Sequence, residues 1–310
     1  MGALGRFFGS RDDVPEWASF FSAAEYRAFV AAVEAELGRR GLGYETGDGT
    51  IVIQGQEGAF GLQNLAQVCH GTPRKAWAGR VSDHFDSIFR SAEETREMDR
   101  KAETLEGVRS QLKVRLYPPD SLDEIGADRL VHRRPAEGLV ETLVYDMPGS
   151  VRSVPREHVE KWGCPVADLF EAGVENLKAE GRPESKSIEL PEGGSVRALI
   201  GDSFFVASHA LFLEDYLEPV PEHGAVVSVP HRHAVLYHPI EDLRVVHAIN
   251  AMIRVTFGMY REGPGSISPH LYWWREGRFV LLPSKVTAQS VTFSPPEAFV
   301  SGVLNRLPES

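Results

Sequence analysis

Two rhythms of apolar residues alternate along this chain, the three-and-four spacing of amphipathic helices and the every-other spacing of strands. Ser22 followed by Glu25 forms a capping box, after which Tyr26, Phe29, Val30, Val33 and Leu37 keep to one face until Gly41. That pattern predicts a helix. LGYET and TIVIQ then flank Gly47-Asp48-Gly49 and predict a hairpin over Leu42–Gln54. LQNLAQVCH predicts a short helix ending at Gly71. Thr72-Pro73 opens a longer one carrying Trp77, Val81, Phe85, Ile88 and Phe89 on one face. Its tail, RSAEETREMDRKAET, is mostly charge and reads as a solvated end. A first subdomain, helix-hairpin-helix in character, is placed at 1–108 and a second, α+β in character, at 109–310.

The second part opens with a strand, SQLKVRLY, and a polar, turn-rich stretch, PPDSLDEIGADRLVHRRPAEG, that reads as a linker. LVETLVYDM is a strand. Pro155 and Pro165 each open a helix, the second with Val166, Leu169, Phe170, Val174 and Leu177 facing one way. RPESKSIELPEGGS reads as a loop. The region from Val196 to Pro239 then carries two hairpin signals: VRALI and SFFVAS around Gly201-Asp202, and AVVSVP and AVLYHP around His231-Arg232-His233. Between them HALFLEDYL predicts a short helix that Pro219 and Pro221 stop. EDLRVVHAINAMIRVTFGMY predicts a helix, and SISPHLYWW with RFVLLP a hairpin over Ile267–Leu282 around Glu276-Gly277. Ser294-Pro295-Pro296-Glu297 opens a final helix. Helices alternate with hairpins rather than single strands, so the predicted class is α+β. An antiparallel or mixed sheet is built from hairpins, with helices packed mainly on one side.

Composition narrows the partners. A formal net charge of −11 opposes binding to nucleic acid or anionic lipid. Cys69 and Cys164 sit far apart in no CxxC pair, which fits a reducing compartment and a cytosolic, cytoplasmic protein. MGALGRFFGSRDD lacks the apolar region of a signal peptide, and no apolar run approaches the roughly 20 residues of a membrane helix.

Several stretches share one pattern of aromatic, glycine and proline residues: GLQNLAQVCHGTPRKAWAGRV, LVETLVYDMPGSVRSVPREHVEKWGCPVADLFEAGVENL, GDSFFVASHALFLEDYL through VPHRHAVLYHP, and SISPHLYWW. Together they span most of the chain, which resembles the YtpQ-like family of uncharacterised bacterial proteins. The resemblance implies a common fold and carries over no activity, cofactor or site residue.

Chemistry has to be sought in single residues. Gly201-Asp202-Ser203 after a strand resembles the nucleophile block of GDSL-type esterases, but no Asp-x-x-His follows near the C-terminus and the hairpin-turn reading accounts for it. No GxSxG, Walker A or GxGxxG occurs. Cys69 beside His70 cannot form a nucleophile–base pair, because helix neighbours point about 100° apart. Asp146 before Pro-Gly-Ser reads as turn chemistry rather than a cation ligand. Seven of the eleven histidines, His209, His223, His231, His233, His238, His247 and His270, fall in residues 209–270. His231 and His233 share a strand face that His238 does not, so no metal set is assigned and no cofactor is expected. Anion binding by His231, Arg232 and His233 is the chemistry these residues suggest, three potential cations at one turn of an acidic protein. Tyr272 and Trp274 share a core face, which leaves Trp273 as the aromatic open to a ligand or partner unless a helix covers it.

The expected function is a binding or protein-interaction module using the surface near the histidine-rich hairpin, with an unknown protein or a small anionic ligand as partner. The alternative is a metal-dependent or small-molecule hydrolase whose active site is dispersed along the chain.

Overall fold

A computed structural model describes residues 14–56, 59–189, 195–287 and 290–308. The N-terminal stretch MGALGRFFGSRDD and residues 190–194 of RPESKSIELPEGGS therefore lie outside the described residues, and ESKSIE within the latter forms a strand rather than the expected loop. The chain divides into two compact units, Met1–Arg100 and Lys101–Ser310. Among the described residues no helix is long and apolar enough to cross a membrane.

The first unit contains α1 (Ala23–Arg39), the strands β1 (Tyr44–Thr46), β2 (Thr50–Ile53) and β3 (Phe60–Gly61), α2 (Gln63–His70) and nearly all of α3 (Trp77–Lys101). Ser22 and Glu25 form the capping box at α1 with both reciprocal bonds present. The helical spacing read in the sequence is the buried stripe: Phe29, Val33 and Leu37 of α1 pack with Ile51 and Ile53 of β2, Leu65 and Cys69 of α2, and Trp77, Val81 and Phe85 of α3. Burial raises the Cys69 thiol pKa, the opposite of what a thiolate nucleophile needs.

The second unit begins with α4 (Leu105–Val108), β4 (Leu112–Tyr117), α5 (Ser121–Ile125), β5 (His132–Ala136), β6 (Leu139–Met147), β7 (Ser150–Ser153), α6 (Arg156–Trp162) and α7 (Val166–Ala179). Strand β6 is the spine of an antiparallel sheet, with β4 on one edge and β5 and β7 sharing the other. The stretch read as a linker thus supplies α5 and β5; its polar residues sit on a sheet edge, where one face and one side stay wet. Gly173 of α7 lets that helix approach the β4 backbone, since a Cβ there would lie 3.0 Å from the Lys113 carbonyl carbon.

Next come β8 (Glu184–Glu189), β9 (Ser195–Ile200), β10 (Ala225–His231), β11 (Ala234–Pro239), α8 (Val245–Glu262), β12 (Leu271–Arg275), β13 (Arg278–Leu282), β14 (Ser284–Val286), β15 (Val291–Phe293) and α9 (Glu297–Gly302). Six of these strands form one antiparallel sheet in the order β13-β12-β10-β11-β9-β8. Three of the four expected hairpins are present, β1–β2, β10–β11 and β12–β13. The fourth, over Val196–Ser208, is not. Strand β9 pairs with β11 and β8 instead, and the chain after Gly201 folds into a 3-10 segment, Val206–Tyr216. FFVAS is apolar enough for a strand, but here it is buried as a helical turn, a distinction periodicity cannot make in so short a run.

Two apolar layers explain why the central strands are buried on both faces. One face, with Val226, Leu236 and Leu271, packs on Ala248, Ile249, Met252 and Ile253 of α8 and Phe299 of α9. The other, with Val227, Val235, Tyr237, Tyr272 and Trp274, packs on Val206, Ala210 and Leu213 of the 3-10 segment and on Leu116 and Leu139 of the smaller sheet. The α-helices of this region lie on one side, and the 3-10 segment on the other. Fold class is therefore α+β with antiparallel sheets.

Candidate functional site

The β10–β11 hairpin ends in a two-residue turn, Arg232-His233, closed by His231 paired with Ala234. Neither turn residue has a positive φ. A β-bulge between Ser228 and His231 supplies the extra residue that such a turn needs to stay in step with twisted strands. The tip is tied down on both sides. Arg232 donates its N–H to the Gly265 carbonyl at 3.1 Å, Ala207 donates to the Arg232 carbonyl at 3.1 Å, and Gly201 to the His233 carbonyl at 3.4 Å.

Across from the tip stands one face of β4. Alternation in LKVRLY puts Lys113, Arg115 and Tyr117 on that face. Lys113 is buried, and its Nζ is answered by two carboxylates, Asp146 at 2.5 Å and Glu180, with the Phe205 ring 4.6 Å away. Asp146 is thus an ion-pair partner rather than turn chemistry alone. Arg115 is treated differently. Its guanidinium lies 4.7 Å from the Tyr117 ring centre and 5.8 Å from that of Phe204, and its buried Nε has no hydrogen-bond partner. Arg232 reaches the same Phe204 ring, at 5.1 Å. Among the described residues neither arginine has a carboxylate within ion-pair distance. Two guanidiniums therefore share one phenyl ring without a counter-charge.

The histidines serve this arrangement as neutral groups. Arg232 Nε donates to His233 Nε2 at 2.8 Å, which places the imidazole proton on Nδ1, 3.1 Å from the Gly201 carbonyl that accepts it. His231 Nδ1 accepts the His233 N–H at 3.2 Å. Burial first, and then the Arg232 charge, push His233 below the usual imidazole pKa, while exposed Asp202 pulls the other way. Burial also lowers His231, helped by His233 and Arg232. Arg232 itself is lowered by burial and by the Arg115 charge, with Tyr117 opposing, and burial raises the Tyr117 phenol. The positive charge of the site belongs to the arginines, not to the three cations that the sequence suggested.

The tip residues His231, Arg232 and His233 are half-buried and come together as expected. Trp273 does not join them. It packs edge-on against Phe299 of α9, ring centres 5.5 Å apart, and donates its indole N–H to the His223 carbonyl at 2.8 Å. Phe299 of the helix covers part of it, so Trp273 is half-buried rather than an open aromatic. Tyr272 and Trp274 are fully buried on the opposite face, as alternation requires. The remaining histidines disperse: His209 faces the Tyr216 hydroxyl at 2.5 Å and His238 the Ser195 carbonyl at 2.7 Å. Among the described residues no three His, Cys, Asp or Glu side chains are grouped as metal ligands. Ser203 is exposed, and its Oγ accepts the Phe205 N–H at 3.2 Å. Nearby His233 has both ring nitrogens engaged and is not free to act as its base.

Arg115, Tyr117 and Phe204 are the members of the cluster that sequence reading missed. One signal was present: a strand whose alternate positions are Lys, Arg and Tyr presents a cationic face in an otherwise apolar core. No family model matches the chain, and no curated protein or solved structure matches it significantly.

Proposed function

We propose that this chain is a binding protein whose histidine-rich hairpin end receives the anionic group of a small ligand. The carrying observation is the contrast between neighbours on β4. Buried Lys113 has two carboxylates, whereas Arg115 and Arg232, converging on Phe204, have none among the described residues. Bringing two guanidiniums together out of water is unfavourable by itself, and an oxyanion bridging them offsets that with charge-assisted hydrogen bonds. Phe204 and Tyr117 hold the guanidinium planes, so little side-chain freedom is lost on binding. Neutral His233 occupies Arg232 Nε and leaves the terminal nitrogens for the ligand.

Isothermal titration of the whole chain with citrate tests this reading. Binding is expected at low ionic strength, weakening with added salt and falling by about tenfold or more in Arg232→Ala and in Arg115→Met, which keeps the buried stem. Citrate heats that are absent, or unchanged in both variants with near-UV circular dichroism preserved, would overturn it.

A further inference from the structure

A second cluster of cations lies at the other end of the 3-10 segment. Strand β8 forms the sheet edge and is exposed along its whole length. In the β8-β9-β11 register Ser187, Arg197 and Tyr237 are direct partners, so their side chains stand in one row on the face toward the 3-10 segment. Tyr216 closes that segment beside them. Its hydroxyl lies 2.5 Å from Nδ1 of His209, a residue 4% exposed, so the phenol ring is held from behind. Arg182 stacks over the Tyr216 ring at 5.3 Å. Together Arg182, Arg197, Tyr216 and Tyr237 line an open cleft of about 430 Å³.

The charges in this cleft do not cancel. Asp215, one of its two carboxylates, is taken by Lys178 at 2.8 Å, and the other, exposed Glu218, also lines the cleft. Lys186 pairs with Ala198 in the register and so projects from the other face of β8, where it meets Glu184 at 3.3 Å. Among the described residues Arg182 and Arg197 have no carboxylate partner. The Arg182 and Arg197 guanidiniums, which bear only donors, face two phenols, one of which carries Arg182 on its ring.

We propose that this cleft is a separate binding site for a phosphate monoester joined to a small ring. A phosphoryl group brings roughly −1.5 to −2 charge and three acceptor oxygens, which matches the two guanidiniums; one carboxylate would answer only one of them. The cleft is larger than a phosphate alone, and the Tyr216 and Tyr237 rings supply a surface for the ring that carries it. This site and the Arg115–Arg232 site share no residue.

The test is calorimetric titration of the whole chain with phenyl phosphate, and with benzoate as the ring-matched carboxylate. Three forms are compared: unmodified protein, Arg182→Ala/Arg197→Ala, and Arg115→Met/Arg232→Ala. Phenyl phosphate binding should survive in Arg115→Met/Arg232→Ala, fall about tenfold or more in Arg182→Ala/Arg197→Ala, and exceed benzoate binding by about tenfold. Arg182 and Arg197 are exposed, so their removal should leave the unfolding midpoint unchanged. The proposal is overturned if phenyl phosphate does not bind, if benzoate binds as well, or if affinity is lost only with Arg115 and Arg232.

Discussion

Gly263, just past α8, fixes the position of His231, and replacing it by alanine measures that dependence. A Cβ on Gly263 would stand 2.1 Å from His231 Cδ2 and 2.6 Å from Cγ, with the Met259 carbonyl oxygen at 2.7 Å. Backbone conformation is not the obstacle, since φ is −81°. The imidazole must move by more than an ångström, and its Nδ1 then leaves the His233 N–H that it accepts at 3.2 Å. Overpacking costs about 1–3 kcal/mol and the hydrogen bond about 0.5–1.5 kcal/mol, so Gly263→Ala should destabilise by about 2–4 kcal/mol. In a His231→Ala background the ring is gone, and the Met259 carbonyl still opposes the new methyl. The same change should then cost about 1–2 kcal/mol less, a coupling energy of the size found between touching residues. Urea unfolding of the four proteins in this cycle, compared at constant m-value, gives the number. Equal costs in both backgrounds would refute the assigned contact. Because the displaced histidine supports the turn that presents Arg232, citrate affinity should fall in Gly263→Ala as well.

Gly224 offers a sharper steric case: at φ +74° its Cβ would lie 2.0 Å from the Trp274 carbonyl oxygen, fixed in β12. Gly224→Ala should lose about 2–5 kcal/mol, left-handed strain plus overpacking, against about 1–2 kcal/mol for Gly163→Ala at φ +64° in open space; calorimetric melting that ranks them equal would contradict this. Glu141, 7% exposed, has its pKa raised by burial to about 7, with Arg133 opposing. The folded state holds that proton more tightly than the unfolded chain, so the contribution is full below the ordinary value of 4.5 and is lost as pH rises through 7. Unfolding free energy should fall by about 3 kcal/mol between pH 4.5 and 8 relative to Glu141→Gln, and parallel pH curves for the two proteins would exclude it.

The helices of the first unit, the β10–β11 and β12–β13 hairpins and the α+β class were legible in the chain because each rests on local information. Capping at Ser22, the helical stripe from Tyr26 to Leu37, and Glu276-Gly277 with φ of 51° and 72° depend on neighbours in sequence. So does the meeting of His231, Arg232 and His233 at one turn. Three other outcomes required the tertiary structure. FFVAS became part of a 3-10 turn because β9 found its hydrogen-bond partners in β8 and β11, a choice decided by strands distant in sequence. Trp273 was half-buried against α9, which local alternation cannot place. Arg115 met Arg232 across more than a hundred residues of chain because β4 packs beside the 3-10 segment that begins after Phe204. Hydrophobic spacing specifies which side of an element is buried, not which element buries it, and the charge balance of a site depends on the latter.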